Sequence, residues 1–508
     1  MCGILCKLNS DITDEELASL ANRGPEETRT YSNGTISFGF TRLAINDTSS
    51  SGMQPFHWNQ MVSITNGEIY NHRDLEHRFG IIPTSGSDCE VLLPLLKQLG
   101  NPVVWAQSLD GVFASIIYDS NRLIIARDPY GVRPLYYGID ASQNLGFASE
   151  MKALRNYTNI QPFPPGHIGV LKIFTGYLQL TRYHSVPILK NPSLAKVSQA
   201  TRHLYCALHS AIDKRMMTDR PIACLLSGGL DSSIIAALLQ TKLKSRLKTF
   251  SIGFEGSPDL IHAKKVADWI GSDHHEIVCT PDEFFTAIPA VIAAIESADI
   301  TTIRASVGNY LVAKYIREHT ECKVVFNGDG SDEVFGGYLY FKNAPSDEAF
   351  EAECDRLLDE IHMFDVLRSD RCVASHGLEA RTPYLDKSFV GVAKSISTRL
   401  RRYGMEKWIL RQTIAIHAPD LLPEDVLWRR KEAFSDGVSK PEKSWFSEIA
   451  DRVSFVSNTS YDYLIPTTKE GRYYRTIFEW DYRGGFVPPH FWMPRWTTAT
   501  DPSARLLT

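Results

Sequence analysis

The sequence predicts two domains of mixed fold class. An N-terminal α+β domain of packed antiparallel sheets precedes a C-terminal α/β domain built on a doubly wound parallel sheet. Three observations predict this. The chain has 508 residues, more than one hydrophobic core normally organises. Its first part is dominated by short β runs, with two helical patterns between them. From about Ser198 onward strands and helices alternate, the order that makes strands parallel and puts helices on both faces.

In the first part the β runs are residues 2–8, 36–43, 62–65, 113–118 and 123–127, and the helical patterns are 72–79 and 88–98. Strands interrupted by helices fit two antiparallel sheets flanked by helices. Residues 150–154 and 163–166 close this domain. Residues 187–192 carry two prolines with polar neighbours and read as a linker. The expected boundaries are therefore 2–185, a linker at 186–197, and 198–508.

In the second part Leu204, Leu208, Ala211 and Ile212 recur at helix spacing. Residues 221–226 form an apolar run bounded by a proline, as a buried parallel strand does. Ile234 to Gln240 is rich in helix formers. Strands then follow at 247–254, 275–278 and 323–326, and helices at 262–270, 281–297 and 305–318. Ligands of such a sheet bind beyond the carboxyl ends of its strands, where Ser227, Ile252 and Asn327 fall.

Composition narrows the function classes. With 43% apolar and 22% charged residues, the chain is globular. A net charge of −5 gives no case for nucleic acid or an acidic membrane surface. No apolar run approaches the roughly 20 residues of a membrane span, and the N-terminus lacks the architecture of a signal peptide. The nine cysteines include no Cys-x-x-Cys pair, which argues against zinc. They read as reduced thiols of a cytoplasmic protein. Cys206, Cys224, Cys279 and Cys322 lie in apolar stretches and behave as small hydrophobes.

The stretch Ser227-Gly228-Gly229-Leu230-Asp231-Ser232-Ser233 joins a strand to a helix start. Gly228 and Gly229 permit a sharp turn and a close ligand approach. The free N–H groups of the helix start favour an anion. Ser227, Ser232 and Ser233 add hydroxyls, and Asp231 suits a metal ion bridging phosphates. The lysine of a Walker loop is missing. The stretch resembles the pyrophosphate loop of ATP pyrophosphatases, which implies cleavage of ATP between its α and β phosphates and transfer of AMP to a substrate.

Cys2 becomes the first residue if Met1 is removed. Its own α-amine, with an ordinary pKa of about 7.7–8.0, can then take the thiol proton and later protonate a leaving amine. Alone, a cysteine near a terminus is also what a strand start gives. Further motifs follow in order: Asn22-Arg23-Gly24-Pro25-Glu26, Thr41-Arg42-Leu43, Asn66-Gly67-Glu68, Ser87-Asp88-Cys89 and Arg127-Asp128-Pro129-Tyr130-Gly131-Val132-Arg133. With Cys2 they resemble a class II, N-terminal-nucleophile (Ntn) glutamine amidotransferase domain. The resemblance implies a four-layer αββα fold. It also implies that Arg42 clamps the α-carboxylate of glutamine and that Glu68 and Asp88 bind its α-ammonium. Asn66 and the Gly67 N–H would form the oxyanion hole. Taken singly, Asn66-Gly67 is equally a common hairpin turn.

Asn327-Gly328-Asp329-Gly330-Ser331-Asp332-Glu333 sets acidic groups among glycines beyond a later strand, which suits magnesium and phosphate or a substrate ammonium. This stretch, together with Thr301–Ser306, Gly377–Asp386, Arg430–Val438, Phe491–Trp496 and Ala499–Arg505, is similar to the glutamine-dependent asparagine synthetases. The resemblance covers nearly the whole chain. It implies that Leu226 and Ile252 flank adenine, and that Asn327 and Gly328 contribute to the ATP site. Ser227, Gly228, Gly229, Asp231 and Ser232 would hold pyrophosphate with Mg²⁺, Asp231 and Asp332 would be metal ligands, and Lys431 would touch the phosphates.

Asp329 takes the catalytic place of a glutamate in that family, with its carboxylate drawn back by one methylene. Asn22 and Glu26 stand where the family has histidine and aspartate. Arg304 and Arg381 lie in family motifs without an assigned contact, and a structural salt bridge is expected of Arg381. The implied substrates are glutamine, aspartate and ATP. Ammonia released at Cys2 would reach a β-aspartyl-AMP intermediate through an apolar passage between the domains, and a homodimer is compatible. Two alternatives stay open: a ligase of the same architecture acting on another carboxylate, and a catalytically silent binding homologue.

Overall fold

The protein is described by a computed structural model for residues 1–186, 191–431, 437–439, 443–453, 461 and 463–498. Twelve strands belong to the N-terminal domain. They are β1 (Gly3–Leu8), β2 (Glu27–Ser32), β3 (Ile36–Arg42), β4 (Phe56–Trp58), β5 (Met61–Ile69) and β6 (Gly111–Asp119). The remainder are β7 (Arg122–Arg127), β8 (Tyr136–Ile139), β9 (Leu145–Ala148), β10 (Thr158–Pro162), β11 (His167–Lys172) and β12 (Tyr177–Arg182). One sheet has the order β10-β8-β9-β1-β3-β2 and the other β12-β11-β7-β6-β5-β4, with every pairing antiparallel.

Ile4, Cys6, Phe38, Ile64, Ile116 and Ile125 fill the space between the sheets. Leu92, Leu96 and Trp105, from the helices Leu92–Leu99 and Pro102–Ser108, cover the second sheet. β1 is apolar on both faces for a reason. Alternation sends Ile4 and Cys6 into this sandwich, while Leu5 joins a core continuous with the C-terminal domain.

The strand predicted at 62–65 is longer than expected. β5 carries Asn66, Gly67 and Glu68 inside the strand, paired with Ala114, Phe113 and Val112, so Asn66-Gly67 is not a hairpin turn. The helix predicted at 88–98 begins only at Leu92.

The second domain holds a five-stranded parallel sheet: β13 (Ile222–Leu225), β14 (Lys248–Phe254), β15 (Asp273–Cys279), β16 (Val324–Phe326) and β17 (Glu379–Arg381). Its order is β15-β14-β13-β16-β17, so the strand sequence reverses between β13 and β16. That reversal opens a crevice at the carboxyl ends. The helices Val197–Arg215 and Leu230–Lys242 pack on one face, and Pro281–Ile295 and Ile300–His319 on the other. Both cores run on into the first domain, through Leu43, Tyr70 and Val132 on one side and Met1, Leu5 and Tyr136 on the other. Among the described residues no single helix is long and apolar enough to cross a membrane. Of the linker expected at 186–197, residues 187–190 lie outside the described residues, and Pro192–Ala195 forms one 3-10 turn. Residues 432–436 and 499–508, from two of the quoted motifs, also lie outside them.

Candidate active sites

Cys2 sits just ahead of β1, half-buried, its thiol 3.6 Å from the Leu43 carbonyl. Burial pushes that thiol up, opposed by the nearby terminal ammonium and the Leu43 contact. Met1 precedes it and is 1% exposed. Its amine lies 3.5 Å from the Leu378 carbonyl, and burial lowers it to about 6. Arg133 Nη1 approaches the Met1 sulfur at 2.7 Å. Arg23 holds the Cys2 carbonyl at 3.0 Å and pairs with Glu150 and Asp370 at 2.8 and 2.9 Å. The ground between Cys2 and the parallel sheet is therefore charged: Arg23, Arg133, Asp370, Arg371 and Glu379 are all buried there. Here the domains meet through buried ion pairs, whose charges persist because they are paired, beside the apolar cores that the two domains share.

β5 delivers the predicted glutamine residues. Both side-chain polar atoms of Asn66 are buried without a hydrogen-bond partner, an arrangement that a ligand would relieve. Gly67 is required by close approach, since a Cβ there would lie 2.1 Å from the Val112 carbonyl oxygen. Glu68 and Asp88 converge, joined by a residue that the sequence did not single out. Asn46 Nδ2 donates to Glu68 Oε2 and, at 3.2 Å, to Asp88 Oδ1. Burial, reinforced by Glu379 and Asp88, holds the Glu68 carboxyl well above its usual range, with Arg381 opposing. Arg42 is buried nearby and donates to the carbonyls of Ser49, at 2.6 Å, and Asp47.

The second site occupies the crevice between β13 and β16. Leu226, Ser227, Gly229, Asp231, Ser232, Ile252, Asn327, Gly328, Asp329, Asp332 and Lys431 all line one cleft. Gly228 does not; it makes the turn, with φ +68° and no room for a Cβ against the Ala263 nitrogen at 2.4 Å. Ser227 and Ser232 share a hydroxyl contact of 3.0 Å, and Ser227 Oγ accepts from the Gly229 N–H at 3.3 Å.

Lys407, absent from the expected set, bridges the two expected metal ligands. Its ammonium pairs with Asp231 and, at 2.7 Å, with Asp332. Lys431 holds the other Asp332 oxygen at 2.7 Å. Although burial opposes it, these two lysines draw the Asp332 carboxyl far below its usual range. Two carboxylates converging on one cation fit a magnesium ion that takes its other ligands from phosphates. Among the described residues no group of three or more His, Cys, Asp or Glu side chains is placed to hold a metal ion.

Asp329 pairs with Arg368 at 3.1 Å, and Arg368 also holds Asp365 at 2.9 Å. Burial raises the Asp329 carboxyl, with Arg368 opposing. The Asp329 N–H donates to Asn327 Oδ1 at 3.2 Å, which fixes the loop, while Asn327 Nδ2 is buried without a partner. Arg304 is a structural residue: it pairs with Glu470 at 2.7 Å and stacks over Phe446. Arg381 forms the expected salt bridge, to Glu379 at 2.8 Å, and lies 3.4 Å from Glu68. Glu26, one of the family departures, accepts from the Ala44 N–H at 2.8 Å and pairs with Arg220 at 2.8 Å across the domain interface.

An amidotransferase-type β sandwich joined to a doubly wound sheet with a serine–glycine loop defines a two-site synthetase. The family model of the glutamine amidotransferase domain matches residues 1–203, and that of asparagine synthase matches 203–357 and 342–479. Over its full length the chain is 41% identical to the glutamine-hydrolysing asparagine synthetases of Gallus gallus and Cricetulus griseus, covering 98% and 99% of those proteins. It is 40% identical to that of Homo sapiens, covering 99% of it. The chain belongs to the glutamine-hydrolysing asparagine synthetases.

Proposed function

We propose that the family reaction is divided here between a thiol site at Cys2 and a nucleotide site at the Ser227 loop. The reaction is the ATP-dependent conversion of L-aspartate to L-asparagine with ammonia from L-glutamine, giving glutamate, AMP and pyrophosphate. The observation that carries the reading is the match along the whole chain to synthetases of this name. It is supported by a single cleft that gathers the Ser227 loop, Asp329 and Lys431.

Once Met1 is removed, Cys2 attacks the glutamine amide, the C–N bond breaks to release ammonia and leave a thioester, and water then cleaves the thioester to glutamate. Asn66 and the Gly67 N–H hold the oxyanion, a role supported by the unpartnered Asn66 amide. Arg42 takes the α-carboxylate, for which a planar guanidinium is suited, and Glu68 with Asp88 takes the α-ammonium. In the second site Leu226 and Ile252 flank adenine, with Asn327 and Gly328 beside them. Ser227, Gly229 and Ser232 hold phosphate oxygens, and Gly228 sets the turn. Asp231 and Asp332 would hold Mg²⁺, which would neutralise charge on the departing pyrophosphate. Lys431, paired with Asp332 at 2.7 Å, would turn to the phosphates. The aspartate β-carboxylate attacks the α-phosphate, pyrophosphate leaves and β-aspartyl-AMP forms; ammonia then displaces AMP, and Asp329 acts in forming this intermediate and on the incoming ammonia.

The domains that do this are 2–185 and 198–508, with 186–197 between them. The nine free cysteines support reaction in the cytoplasm. The test is pyrophosphate exchange into ATP with a panel of carboxylic acids. Exchange that depends on aspartate and Mg²⁺ is expected, and exchange with another acid instead would replace the substrate.

A further inference from the structure

Arg381 touches both sites at once. It lies on β17, the edge strand beside β16. Its main-chain carbonyl accepts the Asn327 N–H at 3.1 Å, at the root of the loop that carries Asp329. Its side chain is anchored in its own domain and reaches the other at Glu68. Nε donates to Glu379 at 2.8 Å, and Nη1 to the carbonyls of Met217, at 2.6 Å, and Arg215. Nη2 lies 3.4 Å from Glu68 and makes no hydrogen bond although buried. Two nitrogens are therefore anchored, and the third meets Glu68 only as a charge.

We infer that Arg381 is a positioning residue that couples glutamine occupancy at Glu68 to the Asn327–Asp329 loop. The inference rests on the reading of Glu68 as a ligand of the glutamine ammonium. Glu68 is crowded by Asp88 and Glu379, and Arg381 is among the cations that offset them. A substrate ammonium adds another cation at Glu68 and changes its pull on Nη2. Because Nε and Nη1 are tied to Glu379 and to the end of the helix Val197–Arg215, a rigid guanidinium cannot give way locally. The change is passed to β17 and, through the 3.1 Å bond, to Asn327. A lysine has one ammonium and cannot keep all four contacts. A second bridge crosses the interface through Arg220, which binds the Ala44 carbonyl at 2.8 Å and Glu26 at 2.8 Å. It touches neither Glu68 nor Asn327, so it serves as the control.

The first measurement uses the full-length Cys2→Ala protein, which binds glutamine without consuming it. Calorimetry reads glutamine affinity with and without aspartate plus α,β-methylene-ATP and Mg²⁺. A shift of about fivefold or more is expected, the lower end of ordinary coupling between sites, and no shift overturns the inference. The second compares Arg381→Lys, Arg220→Ala and Glu68→Gln in the otherwise native enzyme. Arg381→Lys should raise the glutamine KM and lower the asparagine formed per glutamate. Ammonia-driven synthesis should keep its kcat within about threefold, a split that mere loosening of the sheet would not produce. Wild-type coupling in Arg381→Lys, an equal loss in Arg220→Ala, or an equal loss of ammonia-driven synthesis each overturns it. Glu68→Gln separates the two readings. An unchanged glutamine KM there removes the Glu68 assignment, whereas a raised KM with intact coupling in Arg381→Lys removes only the role of Arg381.

Discussion

Around Glu68 two buried carboxyls lie side by side, whereas around Asp231 the carboxylates are paired with lysines. The Asn66 side chain has no hydrogen bond, and Glu68 and Asp88 share the Asn46 amide, with Arg381 3.4 Å from Glu68 and the Ile69 N–H donating to Asp88 at 2.6 Å. Asp231, Lys407, Asp332 and Lys431 form a linear chain of ion pairs. On the proposed roles, a glutamine ammonium would add a cation beside Glu68 and Asp88. ATP would instead exchange partners, with Lys407 and Lys431 turning from carboxylates to phosphates and Asp231 and Asp332 left to hold Mg²⁺.

That contrast can be broken from either side. Cys2→Ala should lower glutamine-driven synthesis by about three orders of magnitude or more, as loss of a nucleophile does, while ammonia-driven synthesis survives; asparagine formation from the two nitrogen donors checks it. Lys407→Ala should leave Asp231 and Asp332 facing each other, at about 3–5 kcal/mol for a broken buried pair. Magnesium should then raise the melting temperature of the variant more than that of the native protein, and glutaminase activity should persist. Asn66→Ala should raise the glutaminase barrier by about 2.7–4 kcal/mol, the usual effect of losing one oxyanion donor, with pyrophosphate exchange unchanged. Asp329→Glu should weaken aspartate-dependent exchange by about tenfold, less than the ~10² of a 1 Å misplacement. Asn327 fixes the Asp329 backbone and Arg368 already meets the shorter carboxylate, so faster exchange would mean that the loop does not compensate.

The smallest effect is in acid. Arg381 and Arg133 outweigh burial to bring Glu379 down from 4.5 to about 2. Arg215 and Lys214 bring Asp386 from 3.8 to about 2. Carboxyls lowered in the folded state stabilise it fully above their unfolded values. Both contributions are therefore complete above about 4.5 and drain away as pH falls toward about 2. Denaturant titrations across that window check the sign.

The sequence locates the Ser227 loop because glycines, serines and an apolar strand stand side by side, and the alternation of strands and helices carries the parallel sheet. What it conceals is equally physical. β17 is Glu-Ala-Arg, wholly buried, and a buried charged strand defeats any reading by hydrophobic pattern. Lys407 starts a helix in the left-handed region, φ +56°, with no motif around it. The one available signal is Gly337, where a Cβ would lie 2.1 Å from the lysine chain. Asn46 is a single amide in a loop and becomes meaningful only once folding brings Glu68 and Asp88 together. β8, β9 and β10 are short, four or five residues each, and merge with their turns in a linear reading.

The burial of Met1 puts the Met1–Cys2 bond out of reach in the folded chain. Leu378 and Arg133 wall in the first residue, so an aminopeptidase has no access to the Met1–Cys2 bond once the second half of the chain has docked. On the reading of Cys2 as the nucleophile, removal of Met1 would have to precede docking of the segment around Leu378, and protein refolded with Met1 in place should show ammonia-driven but no glutamine-driven synthesis.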